Sequence, residues 1–190
     1  TTLVDKKNTV HSDISKFAKT KKGIFAFSTS NIYFIDHKNE VTNIKDVKSF
    51  SISSITSAET VNEELVLLAT DKGLFGYNIK KNSLNRISNF ANEVTICKGL
   101  SSSVLVADLQ GNIFETTFNK TALDKSKLII TIKSKSGGVF KITNILQNTN
   151  GNIWFTGTKE TGIGILYNKK DYTILDDKNG VPVAEYLSIL

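Results

Sequence analysis

One arrangement recurs four times along this chain and leaves few folds open to it. An apolar run, a polar turn with Gly or Asn, and a second apolar run closing near an aromatic and Asn or Asp follow one another in each copy. The copies are GIFAFSTSNIYFIDHKNEVTNI from Gly23, ELVLLATDKGLFGYNIKKNSLNRI from Glu64, SVLVADLQGNIFETTFNKTAL from Ser103 and NIWFTGTKETGIGILYNKKDYTIL from Asn152. The second and fourth continue alike, YNIKKNSLNRI against YNKKDYTIL, through a Lys-rich turn into a third run. Between copies lies one more apolar run: SFSISSIT, then EVTICKGL, then VFKITNIL. The runs are short and rich in β-branched and aromatic residues, which is strand chemistry, and helical periodicity is scarce.

Copies that start roughly 40, 40 and 50 residues apart, with four strands each, have the period of β-propeller blades. A twisted four-stranded blade has two apolar faces and covers neither alone, so it packs against a blade on each side. The serine-rich run SFSISSIT suits the innermost strand, where the blades converge and large side chains do not fit. A β-sandwich also has evenly spaced hairpins, but it does not predict the matched order of turns and aromatics. The expected architecture is all-β: about four four-stranded antiparallel blades, at residues 12–48, 49–90, 91–136 and 137–180, with 181–190 opening a further blade. An arc of this kind leaves blade faces and sheet edges bare. The expectation is therefore a fragment of a larger, seven-bladed propeller, covered by its remaining blades, by its own terminal strands or by a second copy.

Composition narrows the functional classes. Hydrophobic residues at 39% and charged residues at 22% belong to a globular chain of 190 residues, not a disordered one. No apolar run approaches the roughly 18–20 residues of a membrane span, so no membrane contact is expected of this segment. The N-terminal TTLVDKKNTVHSD lacks the apolar core of a signal peptide, and the absence of any Met reads as a processed or excised piece. The net charge of +6 rests almost wholly on lysines in turns, with Arg86 the only arginine. Phosphate-clamping and base-reading surfaces favour arginine, so nucleic acid is not an expected partner. Cys97, the lone cysteine, lies in an apolar run and reads as a buried small hydrophobe.

The fourth copy has a more specific likeness. GNIWFTGT, GIGILYN, YTILDDKNGVP and SIL follow the order of the two-component regulator propeller repeat, which the chain resembles. Gly151, Asn152, Trp154, Gly157, Thr158, Gly164, Tyr167, Asn168, Tyr172, Gly180, Pro182, Ser188, Ile189 and Leu190 fall in matching order. Thr156, the long turn KETGI, and Val181 in place of Leu depart from it, and the earlier copies match mainly in the turn and the strand after it. The resemblance implies the periplasmic or cell-surface sensor region of a hybrid histidine kinase of Bacteroidetes type. It would sense glycan fragments and signal through a membrane helix to a kinase elsewhere in the parent protein. The same repeat occurs in scaffold propellers of type IX secretion, which is the alternative.

Candidate chemistry within the chain is sparse. Gly157 and Gly162 have the spacing of a P-loop, but Ile163 stands where the phosphate-reaching lysine must be. A dinucleotide fingerprint needs a glycine opening a helix, whereas Gly162 and Gly164 lead into a strand. His11 and His37 lie in polar surroundings and, with Cys97, make neither a catalytic triad nor a zinc site. Asp176 to Gly180, DDKNG, lacks the alternating oxygen donors of a calcium loop and reads as an Asx turn. Glu63, Glu64 and Glu93 lie near turns and are the carboxylates to test for a glycosidase pair. The expectation is no catalytic residue, no metal and no cofactor. Oligosaccharide contacts are expected from the turns between second and third strands, at Ser30, Lys72, Gln110, Lys159 and Glu160. They are also expected from the blade-to-blade links, at Asn89, Asn92, Lys135 and Lys178. Trp154 reads as a packed blade residue, although an exposed Trp can stack on a sugar ring.

Overall fold

The computed structural model describes residues 3–4, 10–11, 13–158 and 162–181, and in it the chain is built almost wholly of strands. A short ribbon pairs β1 (Leu3–Val4) with β2 (Val10–His11). Four four-stranded antiparallel sheets follow, and in each the spatial order of strands is their order in the chain. The first holds β3 (Lys16–Thr20), β4 (Gly23–Phe27), β5 (Asn31–Ile35) and β6 (Val41–Asp46). The second holds β7 (Ile55–Asn62), β8 (Leu65–Thr70), β9 (Gly73–Asn78) and β10 (Ser83–Arg86). The third holds β11 (Val94–Lys98), β12 (Val104–Asp108), β13 (Asn112–Asn119) and β14 (Ala122–Thr131). The fourth holds β15 (Ile142–Gln147), β16 (Ile153–Gly157), β17 (Ile163–Tyr167) and β18 (Asp171–Leu175). These are β-propeller blades. Among the described residues no helix is long and apolar enough to cross a membrane.

The residues group into two compact units, Thr1–Asn92 and Glu93–Leu190, each containing two blades. In the first unit, period-two alternation sends Phe25, Phe27 and Ile32 to the face that meets Val66, Leu68, Phe75, Tyr77 and Leu84 of the second blade. Ala26, Tyr33 and Val41 take the opposite face of the first blade, with Ile14. Every residue of β8 and β9 is buried, so these central strands have apolar cover on both faces. In the second unit, Leu105, Ala107 and Ile113 of the third blade pack with Ile145, Ile153, Phe155 and Leu166 of the fourth. Ile132 and Phe140, from the link between those blades, complete this core. Within each unit the first strands of the two blades lie side by side, β3 with β7 and β11 with β15, so blades converge on these edges.

SFSISSIT departs from the expectation of an innermost strand. Residues Lys48–Phe50 form a 3-10 turn, Ser51 takes a left-handed conformation at φ 52°, and the strand begins only at Ile55. The reason is a side-chain competitor for the backbone. The Asp71 carboxylate accepts the amides of Ser53 and Ser54, both at 3.0 Å, and the Ser53 hydroxyl at 2.6 Å, which removes them from any ladder. Phe50 then folds back edge-on against Phe75, with ring centroids 5.6 Å apart. The other two inter-copy runs do supply first strands, β11 and β15.

Candidate ligand-binding rim

An antiparallel blade whose strands pair in chain order has two distinct ends. Turns between second and third strands share one end with the links that leave the blade, and the two remaining hairpins share the other. Hydrogen bonds within each unit tie the first set together. In the first unit the Val47 amide, in the link, donates to the carbonyl of Ser30 at 2.8 Å, and the Leu74 amide donates to the carbonyl of Phe90 at 3.0 Å. In the second, the Ile132 amide donates to the carbonyl of Gly111 at 2.7 Å. Gly73, at φ +105°, passes so close under the Phe90 carbonyl that a β-carbon there would lie 2.1 Å from its oxygen. A glycine is required at that crossing.

The turns themselves are built by short polar side chains that capture their own backbone. Ser28 Oγ accepts the amides of Ser30 and Asn31 at 3.2 and 2.9 Å. Thr70 Oγ1 accepts the Lys72 amide at 3.0 Å, and Asp108 Oδ1 accepts those of Gln110 and Asn112, both at 2.9 Å. Ser30 and Gln110 are therefore held as turn residues through their backbones, and the Gln110 side chain stands exposed. Lys72 is exposed and pairs with Asp71, Nζ to Oδ2 3.2 Å. Asn89 and Asn92 are exposed in the segment after β10. Lys135 and Lys178 converge on one carboxylate: Lys135 Nζ pairs with Asp176 Oδ2, and the Lys178 amide donates to Asp176 Oδ1 at 3.1 Å. Lys159 and Glu160 lie outside the described residues.

Two carboxylates at this end, Asp71 and Asp176, are held below the ordinary carboxylate range. Burial works to raise Asp71, but the Ser53 hydroxyl, the amides of Ser54 and Ser53, and Lys72 outweigh it and hold the group at about 2, below its ordinary 3.8. The Lys135 ammonium, seconded by Lys178, lowers Asp176. Both carboxylates are thus ionised and already engaged, which suits them to fixing links rather than to proton transfer.

Other chemistry singled out by the sequence is dispersed. Cys97 is buried, packed in the core of the second unit. His37 is exposed and meets the Lys21 carbonyl at 3.0 Å. DDKNG is an Asx turn on Asp176, running into a 3-10 turn at Asp177–Asn179. Glu63 pairs with Lys21 at 3.4 Å and Glu64 with Lys80 at 2.5 Å, both in the β7–β8 hairpin at the opposite end of the blade from the links. Trp154 is half-buried on β16, between Leu146 and Ile165 of the neighbouring strands. Turn composition did not point to a cleft at the hairpin end of the first unit, lined by Phe25, Phe34, Ile44, Tyr77 and Ile79. Its only trace in the sequence is alternation that sets Phe25 and Phe34 on one face.

No family model matches the chain, and no curated protein matches it by sequence. Solved structures do. Virginiamycin B lyase from Staphylococcus aureus is similar over 90% of this chain and 58% of its own, with a TM-score of 0.65 at 13% identity. The extracellular domain of a one-component system from B. thetaiotaomicron is similar over 90% of this chain and 24% of its own, with a TM-score of 0.66 at 14% identity. A structure from the same organism, described as the extracellular domain of a hybrid two-component system, gives 89% and 23%, with a TM-score of 0.64 at 12% identity. At such identities the likeness is one of fold, and the chain spans less than two-thirds of each of these structures.

Proposed function

We propose that this chain is a ligand-sensing propeller segment of a two-component receptor, facing the periplasm or the cell exterior, and that its ligands are oligosaccharides. The observation that carries the reading is the ordered motif of the fourth copy, set on one blade. Gly151 takes the positive φ of the turn into β16, Trp154 and Gly157 lie on β16, Gly164 and Tyr167 on β17, and Tyr172 on β18. The fold shared with extracellular domains of signalling systems supports the same reading.

The chemistry of the rim favours a neutral, polyhydroxylated ligand. Among the exposed side chains at this end of the blades, Asn89 and Asn92 of the first unit and Gln110 of the second are amides that both donate and accept, which suits sugar hydroxyls. The described carboxylates Asp71 and Asp176 are committed to serines, backbone amides and lysines, which favours a segment that acts by binding. Calorimetric titration of the whole chain against an oligosaccharide panel tests this. The expected result is saturable binding that weakens about three-fold or more when Gln110 or Asn89 is changed to Ala. A chain that binds no sugar but captures a component of the protein-export machinery is a scaffold, and the sensor reading then fails.

A further inference from the structure

The cleft at the hairpin end of the first unit is not used by the rim. It encloses about 260 Å³ between the first two blades. Phe25 is its floor, buried to 4% exposure, with Phe34 tilted against it at 5.0 Å and Tyr77 edge-on at 5.6 Å between ring centroids. Ile44 and Ile79, partly buried, close the sides. The polar atoms near this floor satisfy one another. The Tyr77 hydroxyl donates to Asn82 Oδ1 at 3.1 Å, and Asn82 Nδ2 donates to the carbonyl of Ile44 at 2.8 Å, bridging blade to blade. Asn82 holds this clasp from a left-handed backbone at φ 48°.

Water in such a hollow finds few partners, so an apolar group that displaces it gains free energy. The volume suits one ring or a short branched chain rather than a larger ligand. The mouth is polar and unevenly charged. Lys21 and Lys22 stand on the β3–β4 hairpin, and Glu63, the one carboxylate among the described residues lining the cleft, is turned to Lys21 at 3.4 Å. Lys22 lines the cleft and is exposed, and it has no acidic partner among the described residues. We propose that this cleft is a binding site for a small carboxylate with an aromatic or branched aliphatic body. The body enters between the blades and the carboxylate meets Lys22 at the mouth. A free arylalkanoate and the C-terminal residue of a peptide offer the same chemistry.

The test titrates the whole chain, by calorimetry and ligand-observed NMR, with 3-phenylpropionate, with the neutral 3-phenylpropan-1-ol, and with a short peptide ending in Phe. The expected result is millimolar or tighter binding of at least one carboxylate probe, in preference to the alcohol. If the peptide alone binds, the natural source is a chain terminus; if the free acid binds, it is a metabolite. Lys22→Met, an exposed change, should weaken carboxylate binding about five-fold, leave the alcohol unmoved and leave oligosaccharide binding unchanged. Ile79→Trp should fill the hollow and abolish binding of every probe. No binding of any probe, or carboxylate binding that Lys22→Met does not weaken, overturns the assignment. Because Lys22→Met lies at the hairpin end, its effect separates this site from the rim.

Discussion

Gly164, the second residue of β17, lies directly across from Phe155, and an alanine there tests how the fourth blade is packed. The backbone at Gly164 is ordinary strand, so the argument is steric. A β-carbon at that position would lie 2.0 Å from two carbons of the Phe155 ring and 2.8 Å from a third, against the 3.4 Å at which ordinary contact begins. The ring must retreat by about 1.4 Å, yet Phe155 is fully buried and stands edge-on to Phe140 at 5.1 Å. Overpacking of this kind costs about 1–3 kcal/mol, and ejecting the ring altogether costs about 3–5, so the cheaper relaxation sets the result at about 2–3 kcal/mol. The ordinary gain from Gly→Ala in the unfolded chain offsets less than about 1 kcal/mol of that. Urea unfolding followed by Trp154 fluorescence reads this blade, since the chain's one Trp is next to Phe155. Phe155→Leu in the same background removes the obstructing ring and should return at least about 1 kcal/mol relative to additivity. Gly76→Ala is the control. Its nearest neighbour is the flexible end of Leu65 at 3.1 Å, and its cost should stay below about 1 kcal/mol. A Gly164→Ala protein within about 0.5 kcal/mol of the parent, or a strictly additive double mutant, would refute the packing argument.

The Asp71 clamp gives an acid signature. Its folded value, about 2, lies below the ordinary 3.8, so its stabilisation is complete above about 4 and is lost as pH falls towards 2. The shift corresponds to about 2.4 kcal/mol, which screening of the exposed Lys72 partner and an open rim reduce to about 1 kcal/mol. Asp71→Asn should therefore be less stable than the parent at pH 5 and close to it at pH 2.5, by urea midpoint; equal acid slopes in the two proteins count against the clamp. Gly73→Ala places a β-carbon against the Phe90 carbonyl at a φ of +105°, and should cost about 3 kcal/mol or more in thermal melts followed by circular dichroism. A melt within a degree or two of the parent would mean that the link at Phe90 yields.

The blade architecture was legible because it rests on local signals: period-two alternation, turn residues and their recurrence. GIFAF and NIYFI announce paired strands, and the buried positions Phe25, Phe27 and Ile32 follow from their alternation. SFSISSIT was misread because its fate depends on Asp71, about twenty residues away, and no local propensity encodes that carboxylate's pull. Gly164 was visible as part of a motif, but the ring that requires it becomes known only with the register of β16 on β17. At the rim the turns lie where the strand order puts them. What the sequence hid there is occupancy: Lys135 and Lys72 are already paired, while the neighbouring amides stay exposed. The apolar cleft left almost no trace, since a void between two packed faces depends on how closely they meet.

Every strand in the four sheets pairs only with strands next to it in the chain. Each hairpin can thus close as soon as its second arm exists, with little loop entropy to overcome, and no blade waits for a distant partner before its ladder forms. A lengthened link changes no pairing register, because every register is set inside a blade. The links can therefore vary in length and composition from one relative to another, with the strand pairings left as they are.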